Sequence, residues 1–168
     1  RERILDIVQQ MIGACNRVVN ESMPIVDARL ENGDRVHVVL PPVAVNGPII
    51  TIRRFPKEPI TMQKLLELHS LSEEEAYFLK NAVRAGYSIL IAGGTGSGKT
   101  TFLNALSEYI PQGERVVVIE DTAELQIQNV ENLVRLETRT SGMEDVKEIT
   151  IRDLIRASLR MRPSRIIV

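Results

Sequence analysis

Gly93-Gly94-Thr95-Gly96-Ser97-Gly98-Lys99-Thr100, with Thr101 directly behind, has the spacing G-x-x-x-x-G-K-[ST]. These residue types suit one task, the cradling of a chain of phosphates. Glycines let the backbone turn tightly and aim successive N–H groups inward, which makes an anion nest. A helix opening behind the loop would add roughly half an elementary positive charge at its N-terminus. Gly94, Thr95, Gly96, Ser97, Gly98, Lys99, Thr100 and Thr101 are therefore the candidate nucleotide-binding residues. Lys99 would reach the β- and γ-phosphates, and the Thr100 hydroxyl would ligate Mg²⁺. The competing explanation is a Gly-rich strand–helix turn with no ligand. It is disfavoured by the flanks, an apolar run from Tyr87 to Ala92 and a helix-like segment from Thr101 to Ile110.

A phosphate loop only binds. Hydrolysis also needs a carboxylate near the γ-phosphate to orient water, and a second acid for the metal shell. Val116-Val117-Val118-Ile119 runs straight into Glu120 and Asp121, with Glu124 one turn further on. In open α/β sheets ligands sit at the carboxyl ends of the strands, so this run would deliver its acids to the loop's side. Lys99, Glu120 and Glu124 are the candidate catalytic residues, and Thr100 with Glu120 the candidate metal ligands. The bland alternative is that Asp121-Thr122 and its neighbours merely cap a turn. Ile166-Ile167-Val168 is a rival for the strand that carries the metal-shell acid.

Arginines form the third set. Arg29, Arg35, Arg53 and Arg54 fall on strand-like stretches early in the chain, Arg135 and Arg139 flank a later one, and Arg152, Arg156 and Arg160 recur every four residues. An arginine brought across an interface can stabilise charge on a transferring phosphoryl group. Arg53 and Arg54, set in an otherwise apolar strand, are candidates for that role. The later stripe reads equally as a solvated face or a subunit contact. His37 and His69 stand alone, without metal-ligand spacing, and read as structural.

The elements that must position these residues follow in order. Residues 1 to 22 set Ile4, Leu5, Val8, Met11, Ile12, Cys15, Val18 and Val19 on one helical face, ended by Pro24. Ile25 to Leu30 and Arg35 to Leu40 read as strands joined by Glu31-Asn32-Gly33-Asp34, a hairpin signal. A third strand spans Ile49 to Arg54. Phe55-Pro56-Lys57-Glu58-Pro59 is a stiff connector, which sets the expected domains at 1–56 and 57–168. Thr61–Leu68 and the stretch from the capping box Ser72-Glu73-Glu74-Glu75 to Gly86 read as helices. Then come a strand at Tyr87–Ala92, the phosphate loop, a helix at Thr101–Ile110, strands at Arg115–Ile119 and Leu133–Glu137, a helix at Ile149–Met161 and a strand at Arg165–Val168. Strands alternating with helices imply a mostly parallel sheet covered on both faces.

Composition narrows the class. The chain has 168 residues, 43% of them hydrophobic and 26% charged, with a formal net charge of −1. Nothing in that balance recruits nucleic acid or an anionic membrane by its global field. The single cysteine, Cys15, lies on an apolar helical stripe and suits a reducing compartment. No apolar run approaches the ~18 residues that span a bilayer. Both ends look cut, Arg1 inside a helical pattern and Val168 inside an apolar run, as in an excised part of a longer protein.

Taken together these stretches resemble the type II/type IV secretion-system ATPase family, most closely the CpaF-like ATPases of tight-adherence (Tad, Flp) pilus assembly. The resemblance rests on Arg29-Leu30 with Arg35-Val36, Leu40-Pro41-Pro42, Asn46-Gly47-Pro48 and Ile52-Arg53-Arg54-Phe55, which look like the family's N-terminal domain. It rests equally on the phosphate loop, on the "Asp box" Val118-Ile119-Glu120-Asp121-Thr122-Ala123-Glu124-Leu125, and on Leu154 to Pro163 with Arg165-Ile166-Ile167-Val168. The resemblance implies an α/β fold: a RecA-like P-loop NTPase core, truncated, preceded by a small α+β domain. It implies ATP and Mg²⁺ as cofactors, a ring hexamer, a pilus or secretion platform protein at the inner membrane as partner, and a cytoplasmic location peripheral to that membrane. By the same resemblance Glu120 orients the attacking water, and Arg53, Arg54 and Arg35 reach the phosphates. Arg135 and Arg139 would sense charge. Two departures stand out: the family expects Asp where Ser164 stands, and Gly-Glu after Val168. The chain as given would then bind nucleotide incompletely and hydrolyse little.

Two other classes compete. A RecA-like nucleic-acid motor would want a basic stripe interleaved with aromatics, and aromatics make up 4% of this chain. A small-molecule kinase would want a lid and acceptor pocket after the first helix of the core, where the acidic strand stands instead.

Overall fold

The computed structural model describes residues 2–54, 58–139 and 147–168. The chain divides into two compact units, Arg1–Lys57 and Glu58–Val168. Most of the proposed connector, Phe55 to Lys57, lies outside the described residues, as does the expectation about Arg1.

The first unit is α+β. Helix α1 (Glu2–Ala14) buries Val8 and Ile12 against strands β1 (Ile25–Arg29), β2 (Arg35–Val39) and β3 (Ile49–Arg53). The strands form an antiparallel sheet in that order. Valines 36 and 38 alternate with Arg35 and His37 along β2, so the apolar side reaches the core and the polar side faces outward. The hairpin between β1 and β2 closes as the Asn-Gly signal implies, with Gly33 at φ +90° and its N–H on the Leu30 carbonyl at 2.9 Å. His37 has a structural place: its Nδ1 lies 2.9 Å from the Asp27 carboxylate on the neighbouring strand.

Helix α1 stops eight residues before the expected limit of 22. Asn16 takes a left-handed conformation (φ +54°), and the N–H groups of Asn16 and Arg17 close back onto the carbonyls of Gly13 and Ile12 at 3.0 and 3.2 Å. Asparagine tolerates that conformation better than most residues and ends the helix. Beyond it the periodic stripe loses its meaning, and Val18 turns outward while Val19 is buried. Two further helices of the chain end the same way, on His69 and Gly86. His69 is thus a helix terminator.

The second unit is α/β. Helices α2 (Met62–Glu67), α3 (Glu73–Arg84) and α4 (Lys99–Ser107) precede strand β4 (Arg115–Glu120). Then follow β5 (Asn132–Glu137), helix α5 (Ile151–Ser158), a 3₁₀ turn at Leu159–Met161, and β6 (Arg165–Ile167). The strands make a parallel sheet in the order β5-β4-β6. Val116 to Ile119 of the central strand are almost wholly buried, and Val116 and Val118 join Met62, Leu65, Leu106 and Ile110 in the core. A strand apolar on both faces is what a covered parallel sheet requires. The Ser72–Glu75 capping box starts α3 as expected, and Thr150 with Asp153 forms a second one at the start of α5. Among the described residues no helix is long and apolar enough to cross a membrane. The α/β class with a preceding α+β unit is therefore the class the chain adopts.

One expected strand is absent. Tyr87–Ala92 is an unpaired segment, with Leu90 93% exposed. Both edges of β4 are already occupied, by β5 and β6, so no ladder remains for it there. Helix α4 also differs from expectation, starting at Lys99 and ending at Ser107.

Candidate functional site

The phosphate loop leads directly into α4, with Gly98 as its N-cap residue in a left-handed conformation (φ +88°, ψ +14°). Gly96 is also left-handed, at φ +76°. Alternation of this kind lets neighbouring N–H groups converge, and a side chain at either position would be strained by roughly 1–2 kcal/mol. Gly93 serves another purpose: a Cβ there would lie 2.5 Å from the Ser97 Oγ. Gly94, Thr95, Gly96, Ser97 and Gly98 form an exposed rim, with the Ser97 N–H on the Gly94 carbonyl at 3.3 Å.

Lys99 is half-buried, and its Nζ donates to the Gly94 carbonyl at 2.6 Å, folding the ammonium over the loop. Thr100 is exposed and Thr101 half-buried, both in the first turn of α4. A cavity of about 780 Å³ opens beside this turn. Its lining includes Lys99, Thr100, Glu120, Asp121 and Glu124, together with the unpaired stretch 87–91 and the β6 strand. The structure thus brings Lys99 and Thr100 to the same cavity as all three acids at the end of β4.

Those acids differ in what they hold. The Glu120 carboxylate is 9% exposed, and its Oε1 accepts the backbone N–H groups of Glu124 and Leu125, each at 2.7 Å. Its Oε2 faces Nη2 of Arg135 at 3.4 Å, and that nitrogen donates to the Leu125 carbonyl at 2.7 Å. Asp121 is exposed, and its carboxylate accepts the Thr138 hydroxyl at 2.8 Å. Glu124 is half-buried on the cavity wall. Both readings of this loop are therefore present in one structure: turn-capping acids, and acids on the wall beside the lysine.

Sequence reasoning missed two residues that shape the site. Asn104 of α4 accepts the Gln126 N–H at 2.9 Å and ties the acidic loop to the phosphate-loop helix. A lone polar residue inside an apolar helix was the available signal. Arg165 was the other. Its Nη2 donates to the Glu114 Oε1 at 3.0 Å, its Nε to the other carboxylate oxygen, and its Nη1 to the Val83 carbonyl. The hydrogen bonds from Arg165 hold the Glu114 carboxyl below the usual range for a glutamate. Ser164, where the sequence resemblance leads to the expectation of Asp, exchanges bonds with Arg115 at the start of β4: its N–H donates to the Arg115 carbonyl at 2.8 Å, and its Oγ accepts the Arg115 N–H at 3.2 Å.

Arg35, Arg53 and Arg54 belong to the first unit. Register places Arg29, Arg35 and Arg53 directly opposite one another on β1, β2 and β3, so the three stand in one row on one face. Arg54 falls just past the end of β3. Arg29 completes a row that adjacency in sequence could not reveal. Arg135 sits on β5 against Glu120, and Arg139 donates to the Lys147 carbonyl at 3.0 and 3.2 Å. Arg152, Arg156 and Arg160 are exposed along α5 and the following turn.

Among the described residues no group of three or more His, Cys, Asp or Glu could hold a metal ion by itself. The donors present are a threonine hydroxyl and carboxylates, all hard oxygen ligands. They suit Mg²⁺, which keeps several waters and takes much of its shell from substrate phosphates.

Comparison with known proteins identifies the family. The model of the family "Type II/IV secretion system protein" matches residues 2–168. An uncharacterised protein of Methanocaldococcus jannaschii is 40% identical over 175 residues, covering all of this chain and 24% of the relative. Type IV secretion system protein PtlH of Bordetella pertussis is 36% identical over 175 residues, 92% of this chain and 52% of the relative. Type IV secretion system protein VirB11 of Brucella suis is 35% identical over 174 residues, 89% of this chain and 48% of the relative. The crystal structure of that VirB11 ATPase with sulphate aligns with a TM-score of 0.48 at 27% identity, over 98% of this chain and 55% of that one. The chain thus spans between about a quarter and about half of the relatives it matches. On the family match and these identities, the chain belongs to the type II/IV secretion system protein family.

Proposed function

We propose that this chain is the nucleotide-binding part of a Mg²⁺-dependent ATPase motor that powers protein export or pilin polymerisation. The observation that carries the proposal is the single cavity lined by Lys99 and Thr100 from the start of α4 and by the acids at the end of β4. ATP would lay its phosphates in the loop from Gly94 to Gly98, against converging N–H groups and the N-terminus of α4. The Lys99 ammonium would leave the Gly94 carbonyl for the β- and γ-phosphates. Thr100 and the carboxylates of the β4 end, Glu120 among them, would hold Mg²⁺, which would neutralise charge as the γ-phosphate departs.

The remaining parts follow from family membership and from the relatives, two of which are named as secretion-system proteins. The motor would work as a ring of identical subunits, docked from the cytoplasmic side on an inner-membrane secretion or pilus platform protein. The arginines of the first unit, Arg35, Arg53 and Arg54, would approach the phosphates when nucleotide binds. Tad pilus assembly is the particular machine the sequence resemblance favours. A net charge of −1 and few aromatics speak against a nucleic-acid track.

The test is steady-state ATP hydrolysis by the intact protein with and without Mg²⁺. The wild type should turn over ATP only with the metal, and Lys99→Ala should lose that turnover. Equal rates for wild type and Lys99→Ala would refute the proposal.

A further inference from the structure

We infer that Asn104 is a positioning residue of the proposed ATPase: its side chain holds the loop after β4 against the phosphate-loop helix, and so sets the rate of turnover without setting nucleotide affinity. The inference rests on the function proposed above and deepens it.

Two walls of the cavity belong to different elements. One is the face of α4 that carries Thr100, Leu103 and Ser107; the other is the end of β4 with the loop behind it. The proposed reaction needs groups from both at once, so the spacing between the walls is part of the chemistry. Apolar packing of Leu106 and Ile110 with Val116, Val118 and Leu125 brings them together. Such packing is non-directional, and a fixed register needs directional bonds as well.

Most of the loop's bonds run back to the sheet it leaves. The Glu120 Oε1 accepts the N–H groups of Glu124 and Leu125 at 2.7 Å each, Arg135 of β5 donates to the Leu125 carbonyl at 2.7 Å, and Glu137 of β5 accepts the Ala123 N–H at 3.2 Å. The next amide in line breaks that series: the Gln126 N–H donates to the Asn104 Oδ1 of α4 at 2.9 Å. Asn104 lies four residues after Thr100, on the same side of the helix. Its own carbonyl accepts the Ser107 hydroxyl at 2.6 Å, one turn further on. Asparagine is among the weaker helix formers, and the bond to Gln126 accounts for its place inside α4. Asn104 itself is outside the cavity lining, so it acts through the loop and not on the nucleotide.

Two variants of the intact protein test this. Asn104→Leu keeps the size of the side chain and loses the acceptor; Asn104→Asp keeps an oxygen for the Gln126 N–H. Each is measured for kcat with Mg-ATP, for calorimetric affinity toward ADP and a slowly hydrolysed ATP analogue, and for hydrogen exchange at the Gln126 amide. Asn104→Leu should expose that amide to exchange and lower kcat at least about tenfold, since misplacement by ~1 Å can cost ~100-fold. Its nucleotide affinities should stay within about threefold, because the phosphate loop is untouched. Asn104→Asp should restore both the protection and most of the turnover. A wild-type kcat in Asn104→Leu overturns the inference. So does a nucleotide affinity that falls as far as kcat, the mark of a damaged phosphate loop, and so does an Asn104→Asp protein with a protected amide and no recovered turnover. Wild-type protein that neither binds nor hydrolyses ATP overturns the proposed function, and this inference falls with it; an active wild type with indifferent variants overturns this inference alone.

Discussion

Replacing Arg165 by Met removes three hydrogen-bond donors while keeping the aliphatic stem. The guanidinium engages both oxygens of Glu114 and the Val83 carbonyl near the end of α3, so it ties β6, the approach to β4 and α3 together. Its side chain is 15% exposed and that of Glu114 26%. Val83 keeps a second bond, from the Gly86 N–H at 3.1 Å, so its carbonyl is not stranded. The loss therefore falls on the carboxylate. Breaking a fully buried ion pair costs about 3–5 kcal/mol, and a single hydrogen bond to a charged group contributes about 1.5–3. Water reaches part of Glu114, so Arg165→Met should destabilise the second unit by about 2–3 kcal/mol. Urea titration followed by far-ultraviolet circular dichroism measures this as a lower midpoint at unchanged slope. Adding Glu114→Gln should recover part of the loss, because the unpaired charge goes with it. The pair also has a pH signature. The Glu114 carboxyl is held below its ordinary value chiefly by the hydrogen bonds from Arg165. Its contribution is thus fully present above the ordinary glutamate value near ~4.3 and is lost as pH falls through the lowered value in the folded state. The double variant should lack that acid-sensitive part. A loss below about 0.5 kcal/mol for Arg165→Met, the level of an ordinary surface change, would refute the reasoning.

Other outcomes follow from the same geometry. Gly98→Ala meets no atom within 4 Å, so its effect is purely conformational. The left-handed backbone should cost it about 1–2 kcal/mol, weakening Mg-ATP binding about 5- to 30-fold in an equilibrium titration. Gly94→Ala also meets no atom and has no left-handed φ, so without nucleotide it should leave the urea midpoint unchanged. Ser72→Ala removes the hydroxyl that accepts the Glu75 N–H at the start of α3 and should cost about 1 kcal/mol in the same urea titration. Asn104→Ala should speed hydrogen exchange at the Gln126 amide, whose bond to the P-loop helix is lost.

Much of this molecule is legible in the sequence wherever local chemistry decides the outcome. The Ser72 capping box, the Asn32-Gly33 hairpin, the apolar β4 run and the glycine-lysine loop each carry their own physical instruction, and the structure follows them. Legibility fails where a neighbour decides. Tyr87–Ala92 has strand-forming residues, yet it pairs with neither outer edge of the β5-β4-β6 sheet, and the pairing of a strand with a distant partner is something no local pattern encodes. The alignment of Arg29 with Arg35 and Arg53 depends on hairpin register across three strands. The use of Glu120 to bind two amides depends on the path of the loop that follows it, so spacing could nominate the acid without saying what it holds. Helix α1 failed for a subtler reason. Its apolar period persists past Asn16, but an asparagine in a left-handed conformation ends the helix regardless of the pattern beyond.

The central claim is that the loop from Gly94 to Thr100 holds the phosphates of a nucleotide. Calorimetric titration of the intact protein with a slowly hydrolysed ATP analogue, with ADP and with AMP, each in Mg²⁺ and each repeated on Lys99→Ala, tests it most directly. The expected result is saturable one-site binding of the tri- and diphosphate, little binding of the monophosphate, and a marked loss of triphosphate affinity in Lys99→Ala. Equal binding of all three nucleotides, or a triphosphate affinity untouched by the loss of Lys99, would contradict it.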